Sequence, residues 1–109
     1  MGADIYINCS CCENTVFEVS YTHNIVNMTH AALNTSHYTW SEEYQGKKAS
    51  EIAPLLENLI TVLEKDPERY RAMNPENGWG SYDGMMIHYL KPFLRACKEY
   101  PDGVLDFSV

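Results

Sequence analysis

The chain has 109 residues, 45% of them hydrophobic and 21% charged, which suits one folded domain over residues 1–109 and excludes wholesale disorder. Its formal net charge of −7 comes from 15 acidic against 8 basic side chains, so it lacks the clustered Lys and Arg that a nucleic-acid backbone demands. No apolar stretch nears the roughly 18 residues that cross a bilayer, and Met1-Gly2-Ala3-Asp4 is neither a basic nor an apolar leader, so a cytoplasmic protein with no membrane or nucleic-acid partner is expected.

In chain order, residues 4–8 alternate Ile5 and Ile7 with Asp4, Tyr6 and Asn8. Residues 15–21 alternate Phe17, Val19 and Tyr21 with Val16, Glu18 and Ser20. A period of two in β-branched and aromatic residues predicts two strands of a hairpin, joined through Cys9-Ser10-Cys11-Cys12-Glu13-Asn14. A short helix is expected over 24–33, with Ile25, Met28 and Ala32 on one face and Thr22 or Asn24 as its cap. Residues 34–49 read as a long polar loop dense in rings (His37, Tyr38, Trp40, Tyr44), part of which packs back on the body.

Ser50 is the expected N-cap of the next helix. Ile52, Leu55, Leu56, Leu59, Ile60 and Leu63 then form one apolar stripe, with Pro54 tolerated in the first turn. Asp66-Pro67 opens a short helix that Asn74-Pro75 stops. The last helix, over 81–99, buries Met86, Tyr89, Leu90, Phe93, Leu94 and Cys97, and Pro92 in its interior predicts a kink around His88. Pro101-Asp102-Gly103 is turn chemistry, and Leu105 and Phe107 alternate with Asp106 and Ser108 in a closing strand over 104–109. The sum is an α+β two-layer sandwich: an N-terminal β-hairpin plus a C-terminal strand packed on three to four helices.

Three constellations carry chemistry. Cys9 and Cys12 have the C-x-x-C spacing of half a zinc knuckle, but the chain offers no second such pair, so no metal or other cofactor is assigned. His23 and Asn24 leave the second strand at a helix start, where an imidazole can meet an anion or take a proton. Asn74, Asn77, Trp79 and Tyr82 place amides, a flat ring and a phenol within nine residues, among glycines at 78, 80 and 84 that let a backbone approach closely. A phosphate loop would need a lysine there, and there is none. The competing structural role is Trp79 as a core plug and the amides as helix caps.

The segments Ser20-Tyr-Thr-His-Asn24, Asp66-Pro-Glu-Arg-Tyr-Arg-Ala-Met-Asn-Pro75, Asn77-Gly-Trp-Gly-Ser-Tyr-Asp-Gly84 and Ala96-Cys97…Tyr100-Pro-Asp102 resemble a family of small uncharacterised bacterial proteins. More loosely the chain is similar to phage-borne proteins that begin with an Asp-Ile-Tyr strand. The likeness spans most of the chain, implies no assigned activity, and leaves the cysteine cluster outside the shared pattern.

A non-enzymatic binding module for a small ligand or a protein partner is therefore expected, with His23, Asn24, Asn77, Trp79 and Tyr82 converging on one site. An enzyme using His23 or His88 as general base competes with it. So does an acidic inhibitor or immunity-type protein that meets a basic partner. Tyr6, Val16, Tyr38, Trp40 and Tyr44 exceed what a core this small can cover, which favours a symmetric homodimer.

Overall fold

The computed structural model describes residues 2–12, 14–22, 26–33, 37–74 and 80–108. Strand β1 (Gly2–Asn8) lies at the centre of a three-stranded antiparallel sheet, flanked by β2 (Thr15–Thr22) and by β3 (Val104–Ser108). The register explains the alternation. Ile5 lies opposite Val19 and Phe107, Ile7 opposite Phe17 and Leu105, and Ala3 opposite Tyr21, so one face of the sheet is apolar from end to end. The other face presents Asp4, Tyr6, Glu18, Ser20 and Asp106 to solvent. A slip of one residue would exchange the two faces, so burial itself holds the register.

Helices α1 (Val26–Leu33), α2 (His37–Tyr44), α3 (Ala49–Lys65), α4 (Pro67–Arg71), α5 (Tyr82–Met85) and α6 (Lys91–Glu99) complete the α+β fold. Ile52, Leu56, Leu59, Ile60 and Leu63 of α3 are buried and pack with Phe93, Ala96 and Cys97 of α6. Tyr89 and Phe93 lay their rings along β2, with Tyr21–Tyr89 centroids 4.6 Å apart and Phe17–Phe93 centroids 6.4 Å apart. Each fully buried aliphatic or aromatic side chain contributes about 1.5–3 kcal/mol relative to leaving it in water.

Two expectations are corrected here. Residues 37–44 are helical where a loop was expected. Among its described side chains Trp40, 1% exposed, and half-buried Tyr44, one turn later, mark an inner face, too few apolar positions to announce a helix. Trp40 is thus covered within a single chain. The N-cap of α3 is Lys48, not Ser50: the Glu51 carboxylate accepts from the Lys48 N–H at 3.0 Å, half of a capping box. Pro54 then falls in the second turn, leaving the carbonyl of exposed Ser50 without its helical donor but within reach of water.

Prolines shape two further junctions. Pro92 has no N–H for the carbonyl of His88, and the turn just before it, Met86–Leu90, widens into a π-helix between α5 and α6. Pro67 likewise withholds the donor that the Leu63 carbonyl would have used, and the Tyr82 hydroxyl supplies it at 2.9 Å. That bond ties the end of α3 to α5 across a gap of 19 residues.

The edges of the sheet differ. Along β3, Gly46 N–H donates to the Leu105 carbonyl, Leu105 N–H donates to the Lys47 carbonyl, and the Gln45 side chain accepts from Phe107 N–H while donating to Asp106. No described backbone pairs with the outer side of β2.

Candidate functional site

The β1–β2 connection is a tight, pinned turn. Cys9 N–H donates to the Asn14 carbonyl at 2.7 Å, and the Thr15 hydroxyl donates to the Asn8 side chain at 2.7 Å. A register irregularity at Ile7/Asn8 bends the ladder just before it. The turn presents three thiols together: the sulfurs of Cys9, Cys11 and Cys12 all lie within 4.8 Å of one another, and Cys9 Sγ is 3.0 Å from Cys11 Sγ. Cys9 is half-buried, while Cys11 and Cys12 are exposed. Hydrogen bonds from the Cys11 thiol, and then from Cys12, stabilise the Cys9 thiolate and bring its pKa down to about 6. The same contact with Cys9 pushes Cys11 up.

Cys9 also forms one rim of a cleft of about 330 Å³. Its opposite wall is the α6–β3 turn, Glu99-Tyr100-Pro101-Asp102-Gly103, with Ser10 and Val16 completing the hairpin side. The turn is closed by Gly103 N–H donating to the Tyr100 carbonyl at 3.0 Å, and Pro101-Asp102 occupy its centre as a β-turn prefers. Gly103 has no substitute at the floor: a Cβ there would stand 2.4 Å from Ile7 Cγ2 and 3.1 Å from the Tyr100 carbonyl oxygen. Val16, Tyr100 and Pro101 give the cleft apolar walls, and Glu99 and Asp102 add carboxylates, Asp102 3.7 Å from the Lys48 ammonium. A second, broader depression of about 550 Å³ is lined by Glu43, Tyr44, Lys47, Ser50, Glu51 and Pro54.

Of the site expected from sequence, His23, Asn24, Asn77 and Trp79 lie outside the described residues. Tyr82 is buried, its phenol committed to Leu63, and burial pushes its pKa up. The Arg71 guanidinium lies 5.1 Å over its ring and pairs with Asp83 at 2.9 Å and Glu68 at 2.7 Å. Asn74 is a cap: its side-chain oxygen accepts from Tyr82 N–H at 2.8 Å, and Ser81 Oγ accepts from Gly84 N–H at 3.0 Å. The described part of that segment therefore serves the junction of α3, α4 and α5. Of the two candidate bases, His88 is exposed on the π turn, and neither cleft has a histidine in its described lining.

Sequence reasoning noted the cluster of Cys9, Cys11 and Cys12 and its C-x-x-C spacing but missed the cleft beside it. The readable signal was Tyr100-Pro-Asp-Gly103, a turn whose glycine packs against the hairpin. No family model, curated protein or solved structure matches the chain. The functional reading rests on this geometry.

Proposed function

We propose that the chain is a non-enzymatic binding module whose ligand occupies the cleft between the cysteine turn and the Tyr100–Gly103 turn. The observation that carries this reading is the cleft's make-up: about 330 Å³, apolar walls from Val16, Tyr100 and Pro101, and carboxylates of Glu99 and Asp102 at the rim. Small-ligand sites have this size and this mixture of apolar wall and few polar groups. Two carboxylates beside an apolar wall favour a small organic cation, such as an amine with a hydrophobic body, over an anion. The competing enzyme reading through His88 as general base has less support, because His88 stands exposed and lines neither cleft. The test is a thermal-shift screen of amines, carboxylates and neutral metabolites, with chelator present, on the native chain and on Val16→Trp, which fills the cleft. Amines that stabilise only the native chain support the site. Equal stabilisation of both proteins, or none by any amine, rejects it.

A second reading is a protein partner with a basic surface. It is favoured by the open sheet face, where Asp4, Glu18 and Asp106 surround Tyr6 and Ser20 bonds Asp4. Desolvation, and then those three charges, raise the pKa of the Tyr6 phenol. A partner captured through this face should release as salt is raised and be lost with Glu18→Lys, while Val16→Trp and Trp79→Ala leave it bound.

A further inference from the structure

Free cysteine is among the most buried of residue types, because its thiol behaves as a small hydrophobe. Cys97 follows that rule in the α6 core, and burial pushes its thiol up to about 12. Cys9, Cys11 and Cys12 break it three times within four residues. They do so on a connection fixed at both ends by the Cys9–Asn14 and Thr15–Asn8 hydrogen bonds, so their sulfurs are gathered before anything binds.

The spacing of those sulfurs has a chemical meaning. A metal–sulfur bond of about 2.3 Å sets three sulfurs around one ion about 3.8–4.0 Å apart. The separations here run from 3.0 Å for Cys9–Cys11 up to no more than 4.8 Å, so closing on an ion moves one half-buried and two exposed side chains by less than about 1 Å. A disulfide is the other use of close thiols, but its bond of about 2.05 Å takes two sulfurs and leaves the third unused. Among the described residues no histidine or carboxylate joins the three as a fourth donor. Thiolate donors select soft ions over Mg(II) and Ca(II), which require oxygen.

We propose that Cys9, Cys11 and Cys12 form a three-thiolate site for one soft d10 ion, Zn(II) or Cu(I), with the remaining coordination position open to water. Any of the three still protonated when it binds releases its proton to the buffer, and no electron is transferred. The site shares Cys9 with the cleft but does not depend on the organic ligand proposed for it. The charge of the chain, −7, and the nearby carboxylates of Glu99 and Asp102 favour a cation at this end.

The experiment titrates reduced, metal-free protein with Zn(II), and anaerobically with Cu(I), using Co(II) as the spectroscopic probe. One ion per chain is expected, with a near-ultraviolet sulfur-to-Co(II) charge-transfer band. Each of Cys9→Ser, Cys11→Ser and Cys12→Ser should weaken binding about tenfold or more, and the triple variant should abolish it. Bound ion should also protect these three thiols from alkylation of the native chain, in which Cys97 is already shielded by burial. Saturation by Zn(II) with a tetrahedral Co(II) spectrum supports the site with a water as fourth ligand. Saturation by Cu(I) alone supports a three-coordinate one. Binding unchanged in the triple variant, one ion shared by two chains, or no uptake by reduced protein overturns the proposal. These exposed-turn variants are expected to fold, which their thermal unfolding checks independently. The cleft reading is tested with chelator present, so either proposal can fail while the other stands.

Discussion

The four cysteines occupy two settings that share a side chain and little else. Cys97 sits in the sheet-facing side of α6, fully buried, its ionisation opposed by desolvation. Cys9, Cys11 and Cys12 sit on a hydrogen-bonded turn at the edge of a cleft, where each thiol is the others' polar environment. The contrast shows that surroundings, not residue type, separate a packing group from a reactive one.

Alkylation should break this comparison most sharply if it is wrong. At neutral pH with native protein, Cys9 should react with iodoacetamide at least about a thousandfold faster than Cys97, since the thiolate attacks and Cys97 is held buried as the neutral thiol. The rate at Cys9 should rise through pH 6, where its thiol ionises, and level off above. Cys97 should react only on unfolding. Its folded pKa of about 12 lies above the ordinary value of 9.0, so the neutral thiol stabilises the fold. That contribution is fully present below pH 9 and is lost as pH rises toward 12. Peptide mapping after timed alkylation, and urea unfolding across that pH window, measure both.

Stability should divide the two regions in the same way. Phe93→Ala, in the core one turn from Cys97, should cost about 3–5 kcal/mol in urea denaturation, whereas Cys11→Ser should stay within about 0.5 kcal/mol. Gly103→Ala tests the seam between them. The added Cβ collides with Ile7 and should cost about 1–3 kcal/mol. Two tyrosines sharpen the comparison with smaller effects of opposite sign. Tyr82→Phe strands the Leu63 carbonyl and should cost about 1–2 kcal/mol. Tyr89→Phe removes a buried hydroxyl that finds no hydrogen-bond partner among the described residues, and should raise stability by about 1 kcal/mol.

Much of the fold was legible because its signals are periodic. Ile5/Ile7, Phe17/Val19/Tyr21 and Leu105/Phe107 alternate as strands must, and the Ile52–Leu63 stripe repeats as a packed helix must. Misreadings fell where one or two residues carry the information. Among the described side chains Trp40 and Tyr44 mark α2, and a backbone amide with Glu51, not the serine at position 50, begins α3. Pro92 announced a disturbed ladder but not that it takes the form of a π turn. The candidate site was less legible for a different reason. Its two walls are separated by some ninety residues, and only the antiparallel pairing of β1 with β3 brings Cys9 beside Tyr100–Gly103. No local pattern states that pairing in advance, whereas the Cys9/Cys12 spacing is local and could be seen.

The two edges of the sheet have a consequence for self-assembly. Strands left bare invite other strands, and a sheet bare on both sides can add copies without limit. Here Gln45, Gly46 and Lys47 occupy the hydrogen-bonding groups along β3, and among the described residues the outer side of β2 has no backbone partner. A molecule with one open side can join one other across a twofold axis, and there the growth stops. With Trp40 enclosed in its own chain, exposed Val16 on β2 is the described residue at that edge that a homodimer would cover. Light scattering at rising concentration should find a mass of 12.5 kDa or its double, and no ladder beyond. Segment 45–47 then acts as a guard, a short stretch of chain that closes one side of the sheet to further strands.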